Sequence, residues 1–277
     1  MYKNFSDFWK ANHGNNKDNK IWLRQENMDI GGGKISVSDI DRINEYENIE
    51  RVEISGLRQD TFEYFVSHYG NRIKFIRFFK NKMIEDLSIL STLTEVCGIY
   101  FFHNQRVTKL WDMSSNYKLE GLAFNDFTRL HSLNGIQTAP NLLYLDYGNE
   151  IWPKAILEDL ESLAGTKIVS FGFSGKEIIH HDISVYTRMP ELKYLDFNLN
   201  LFPIEELAKI VALCPHLSGY ALAPYVKFDT VTRYGKSDVM ICGKRKPSLN
   251  SEKDAAKIDD YAKQFYALVE QYQSSPG

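Results

Sequence analysis

The sequence predicts an α/β repeat array, a solenoid in which each turn is one short strand and one returning connector. Three observations predict it. A nine-residue pattern, apolar at its first, fourth and sixth places, occurs eight times, starting at 49, 73, 96, 119, 142, 168, 192 and 217. The copies are spaced by 24, 23, 23, 23, 26, 24 and 25 residues, and a near-constant period of this length marks stacked units that share one core. Two copies, LLYLDYGNE from 142 and LKYLDFNLN from 192, also share Tyr at the third place and Asp at the fifth.

Residues 1–48 precede the pattern and read as an N-terminal cap, because stacking leaves an apolar face open at each end of an array. Within them Phe5, Phe8 and Trp9 share a helical face. IWLRQ and IGGGKISVS read as extended pieces about a glycine turn, and DIDRINEYEN as a short helix. Residues 49–225 form the array. Strands are expected near 52–54, 75–78, 98–101, 121–124, 144–147, 170–173, 194–197 and 219–222, running parallel. Strand side chains alternate, so the fourth and sixth places point into the core and the third, fifth and seventh point out. Ile76, Ile99, Leu145, Phe171 and Leu195 are the expected core column.

The connectors return on the convex side. Helical spacing is read at Phe62, Phe65 and Val66, at Ile156, Leu157, Leu160 and Leu163, and at Leu207, Ile210, Val211 and Leu213. Pro140, Pro190 and Pro215 stop their connectors two residues before a strand motif begins. Residues 226–277 form a C-terminal cap: a hairpin turning near Gly235, then a helix from Ser251 with Asp254 in a capping box. The apolar face of that helix is Ile258, Tyr261, Ala262, Phe265, Leu268, Val269 and Tyr272.

The template L-x-x-L-x-L-x-x-N, fully met by IKFIRFFKN at 73 and VCGIYFFHN at 96, resembles that of leucine-rich repeat proteins over residues 49–225. The connector LHSLNGIQTAPNLLYL is similar to those of bacterial internalin-like short repeats. The resemblance implies right-handed coiling, a parallel sheet on the concave side and macromolecular binding as the usual activity. It also implies that the ninth-place Asn bonds loop backbone between repeats. That Asn is present as Asn81, Asn104 and Asn200; Leu57, Phe127, Glu150, Lys176 and Tyr225 stand there otherwise, which predicts irregular curvature.

Composition narrows the function. With 33 basic against 36 acidic residues in 277, no overall field favours nucleic acid or an acidic membrane. No apolar leader and no run of about 18 apolar residues is found. Cys97, Cys214 and Cys242 are odd in number and widely spaced, which reads as free thiols in a reducing compartment, so a cytoplasmic monomer is expected, with signal-less secretion left open. IGGGKIS at 30 and YGKS at 234 both miss the phosphate-loop spacing. His180, His181 and Asp182 lack a further ligand at a metal-site spacing. No nucleophile motif is recognisable, and the basic run GKRKP is too short for a nucleic-acid stripe. No catalytic residue, metal or cofactor is expected.

The outward places carry the functional expectation. Phe75, Arg77, Phe79, Tyr100, Phe102, Tyr144, Asp146, Tyr194, Asp196 and Asn198 occupy them, among glycines and alanines. Large aromatics facing water suggest an interface, and the two Asp would favour a basic or amide-rich partner. The expected function is non-enzymatic recognition of a protein on the concave face, as an immunity protein, adaptor or effector. The alternatives are carbohydrate binding by the same aromatics and catalysis by the C-terminal segment.

Overall fold

The computed structural model describes residues 1–13, 19–25, 33–151, 154–229 and 237–274. The chain divides into two compact units, Met1–Glu191 and Leu192–Gly277, so the boundary falls inside the predicted array.

The first unit contains α1 (Phe5–His13), β1 (Lys20–Leu23), α2 (Val37–Asp41), β2 (Arg51–Ile54), α3 (Gln59–Tyr69), β3 (Phe75–Phe79), β4 (Gly98–Asn104), β5 (Gly121–Phe127), β6 (Tyr144–Gly148), β7 (Ile156–Leu157), β8 (Ser170–Phe173) and β9 (Glu177–Ile178). Strands β1 to β6 and β8 lie side by side in chain order in a parallel sheet. The register follows the template: Ile76, Ile99, Leu122, Leu145 and Phe171 are successive partners. All five are at most 1% exposed. They meet the connectors, where Phe62 and Phe65 of α3 lie edge-on to Phe78. This is the strand-and-connector architecture of a leucine-rich repeat.

Two backbone devices recur with the repeat. The eighth place is left-handed four times running, at Gly56, Lys80, His103 and Asp126, with φ of 76°, 55°, 63° and 57°, a conformation uncommon outside glycine. At the ninth place Asn104 donates from Nδ2 to the carbonyls of Asn81 and Ile84 at 2.9 and 3.0 Å. Its Oδ1 accepts from the amides of Arg106 and Val107. Where Asn is missing, neighbours take over. Phe127 packs its ring on Phe101 and Phe124, and the Asp126 carboxylate beside it accepts from the amides of Glu150 and Ile151. Asn149, one place early, accepts from the amide of Ala155. Asn104→Ala strands four backbone groups in or near the interior, and a loss of about 2–4 kcal/mol in urea denaturation is expected.

Two expectations are corrected in the first unit. The connector at 156–163 is not a helix: Ile156 and Leu157 pair in parallel with Glu177 and Ile178 of the next connector, followed by a short 3-10 turn. A ladder partner in the adjacent repeat outweighs helical spacing there. The N-terminal segment does more than cover the end of the array: β1 extends the sheet beside β2, while α1 lies on the sheet face opposite the connectors, against β5, β6 and β8. The proposed glycine turn falls largely outside the described residues.

The second unit contains β10 (Tyr194–Phe197), α4 (Ile204–Leu213), β11 (Tyr225–Lys227), β12 (Val239–Ile241), β13 (Ser248–Leu249) and α5 (Ala255–Ser274). Leu195 on β10 is fully buried. The eighth predicted strand does not form. Ser218 alone makes a parallel bridge, to Tyr194, and Gly219–Leu222 closes a turn. Gly219, Ala221 and Ala223 offer little strand propensity, and the backbone at Gly219 runs so close to the Leu195 carbonyl that a Cβ would lie 1.9 Å from it. β11, β12 and β13 make an antiparallel sheet. The expected turn at Gly235 lies outside the described residues. α5 packs on α4 through its Phe265 and Val269 face. It begins at Ala255, later than the expected Ser251; Asn250 holds the turn ahead of it, its Oδ1 accepting from the amides of Glu252 and Lys253, with Asp254 accepting from the Asn250 amide. Among the described residues no helix is long and apolar enough to cross a membrane.

Candidate functional site

The third and fifth places of the first unit form two columns on the face opposite the connectors. By register the third-place column runs Lys20, Arg51, Phe75, Gly98, Gly121, Tyr144, Ser170. The fifth-place column runs Trp22, Glu53, Arg77, Tyr100, Ala123, Asp146, Gly172. Two successive glycines between two aromatics leave a notch about two strand spacings wide, near 10 Å.

α1 fills that notch. Phe5, Phe8 and Trp9 project from one helical face at i, i+3 and i+4. The Phe8 ring stacks on Tyr144 at 5.1 Å and meets Phe75 at 6.1 Å. A Cβ at Gly121 would fall 2.1 Å from the Phe8 ring, so only glycine leaves the space that Phe8 occupies. Phe5 and Trp9 lie edge-on to Tyr100 at 5.8 and 5.5 Å. The amide of Tyr2 donates to the Tyr144 hydroxyl at 3.1 Å, and Arg51 Nε donates to the Asn12 carbonyl. Phe5, Phe8, Trp9, Phe75, Ala123 and Tyr144 make a second, smaller core on this side of the sheet.

The expectation that these aromatics face water is therefore corrected at three positions: Phe75 is 7%, Phe102 4% and Tyr144 3% exposed. Alternation does turn them away from the main core; a helix from the same chain then covers Phe75 and Tyr144, and the Phe79 ring stacks on Phe102. Phe79 stays half-buried, stacked on the buried Phe102 at 5.1 Å and flanked by the cations of Arg77 and Lys80. Tyr100 is half-buried; its hydroxyl donates to Glu150 at 2.8 Å and accepts from Asn125. Burial, ahead of the Glu150 contact, pushes its phenol up to about 12. Asp146 is half-buried and leans over Gly172, where a Cβ would sit 2.4 Å from its oxygen. Tyr194, Asp196 and Asn198 belong to the second unit. Asp196 accepts from the Tyr220 amide, and burial raises its carboxyl above its ordinary value. Asn198 is exposed.

Charge gathers where α1 ends. Arg77 pairs with Glu53 at 3.2 Å, and its guanidinium lies 4.9 Å from the Tyr100 ring centre. His13, stacked on Trp9 at 4.4 Å, is 3% exposed and its Nε2 has no hydrogen-bond partner. Arg77 Nε is likewise buried and unpartnered, an arrangement that costs about 1–3 kcal/mol per group. Burial first, then the charges of Lys20 (β1), Arg77 (β3) and Arg51 (β2), lower the His13 pKa to about 3. Two acids oppose these charges among the described residues: Glu53 is tied to Arg77, and Glu50 pairs with Arg51 at 3.5 Å.

The docked helix thus requires a neutral His13, whereas the released helix titrates at the ordinary value of 6.5. Docking is at full strength above about pH 6.5 and weakens as pH falls toward about 3, roughly tenfold per unit. At pH 5 the open fraction of α1, read from amide exchange corrected for intrinsic rates, is expected to be about 30-fold larger than at pH 7. His13→Gln should abolish the dependence.

Two features of the face escaped the sequence template. Trp22, 41% exposed with Lys20 Nζ 4.7 Å over its ring, stands in the fifth-place column, but β1 is too short to show the nine-residue pattern. The glycine pair at 98 and 121 was visible, yet its meaning depends on Phe75 and Tyr144 flanking it in register. Among the described residues no group of three or more His, Cys, Asp or Glu side chains is placed to hold a metal ion. His181 instead bonds the Tyr186 hydroxyl, and Asp182 caps a 3-10 turn.

Fold and face together define a strand-and-connector repeat array whose sheet surface is occupied by a helix of its own chain. No protein-family model matches the sequence, and no curated protein does. Among solved structures the chain is similar to internalin C2 from Listeria monocytogenes, at 17% identity and a TM-score of 0.40, over 67% of this chain and 73% of that one.

Proposed function

We propose that the protein is a non-enzymatic recognition scaffold that binds a protein partner on the sheet face of its first unit. The observation that carries this reading is the fifth-place column. It runs from an exposed Trp22 through half-buried Arg77 and Tyr100 to Asp146, with half-buried Phe79 beside it in the seventh place. Trp, Tyr and Arg are the residue types that dominate binding energy in protein interfaces, and a row of them on a rigid sheet is pre-organised to make contact. Asp146 and the exposed Glu150 lie toward β6, and Lys20, Arg51 and Arg77 toward β1, which gives the face a polarity that orients a partner.

Trp22→Ala is expected to weaken binding of an affinity-captured partner by about 2 kcal/mol or more, with the melting temperature of the free protein unchanged. Unchanged affinity in both Trp22→Ala and Phe79→Ala would remove the face from the account. Tyr144→Ala reports something else: its ring is buried under α1, so its first effect is to loosen that helix.

A further inference from the structure

We propose that the notch over Gly98 and Gly121 is a docking site for a partner helix carrying aromatic side chains at i, i+3 and i+4 and a carboxylate at i+8, and that α1 is the resident segment this partner displaces. The inference rests on the recognition reading and names the partner's chemistry.

Four observations carry it. The sheet is complete without α1: its strands are hydrogen-bonded in order from β1 to β8, and its main core lies on the other face. The notch is shaped for an aromatic knob on a helix, since Phe8 enters between Phe75 and Tyr144 where a Cβ on Gly121 would collide with it. The geometry asks for a pattern, one large ring at i+3 flanked by rings at i and i+4, and any helix with that pattern meets it. Finally, α1 is an imperfect occupant. At i+8 from Phe5 it places His13, neutral and without a partner at Nε2, among Lys20, Arg51 and Arg77, while Arg77 Nε is buried and unpaired. A carboxylate at that position would lie among three cations and gain a charge attraction that the neutral histidine lacks. Glu53, already bound to Arg77, and Glu50, 3.5 Å from Arg51, are the opposing charges.

The test uses full-length protein and fluorescein-labelled synthetic peptides of residues 1–13. Phe8→Ala/Trp9→Ala disables the resident helix. The native peptide is expected to bind this variant at least about tenfold more tightly than wild type, whose site is occupied. The peptide carrying His13→Glu is expected to bind about tenfold more tightly than the native peptide. Adding Gly121→Leu to the protein, or replacing Phe5, Phe8 and Trp9 of the peptide by Ala, should abolish binding. Equal binding to wild type and variant, no binding to a variant that keeps the wild-type circular dichroism, or weaker binding of the Glu peptide each overturns the proposal. If the double variant does not fold, the Glu peptide is titrated into wild type and amide exchange in residues 5–13 is followed. Saturable acceleration is expected, and its absence overturns the displacement. The assay needs no natural partner. Failure here, with a protein still captured at Trp22, removes the helix site and leaves the broader reading standing; peptide binding with no protein captured does the reverse.

Discussion

Phe8→Ala is expected to release α1 while leaving the repeat array folded. Phe8 is 1% exposed and sits between Phe75 and Tyr144 over two glycines. Truncating a buried Phe typically costs about 3–5 kcal/mol, and nothing else enters the notch, because its floor is backbone. The loss falls on docking: amides of residues 5–13 should exchange at rates near those of an open chain, while those of β4 and β5 keep their protection. Cooperative loss of the whole protein would show that α1 and the sheet fold as one unit, and the separation between array and occupant would fail.

Phe171→Ala is expected to act on the array itself. The side chain is fully buried on the connector side and pairs in register with Leu145. The same truncation, with the same range of about 3–5 kcal/mol, should here lower the urea midpoint of the first unit as a whole. Repeats contact mainly their neighbours, so a cavity in one weakens the interfaces on both sides of it. The two phenylalanines are chemically alike; what separates their effects is the face of the sheet each one occupies.

That difference explains what could be read from the sequence. Alternation and period placed Ile76, Ile99, Leu145, Phe171 and Leu195 inside, because a strand has two faces and the template marks one of them. The same logic placed Phe75 and Tyr144 on the other face. It could not say that Phe5, Phe8 and Trp9 cover them, since a contact between residues 8 and 144 has no local signature. The connector at 156–163 failed for a similar reason: its extended form depends on Glu177 and Ile178 one repeat away. The missing eighth strand is the opposite case. Glycine and alanines at 219, 221 and 223 were in plain view, and their poor strand propensity outweighed the apolar pattern at 217, 220 and 222. Trp22 was hidden by the brevity of β1 and emerged only from its pairing with Glu53.

The central claim is that the protein recognises other proteins with the sheet face of its first unit. The most direct test is site-specific photocrosslinking in a lysate of the source organism. A benzophenone amino acid is placed either at Trp22, on that face, or at Tyr117, which is 62% exposed in a connector. The account predicts a discrete protein adduct from position 22, lost on competition with unlabelled wild-type protein, and no such adduct from position 117. A competed adduct from position 117 alone would contradict it and move recognition to the connector side.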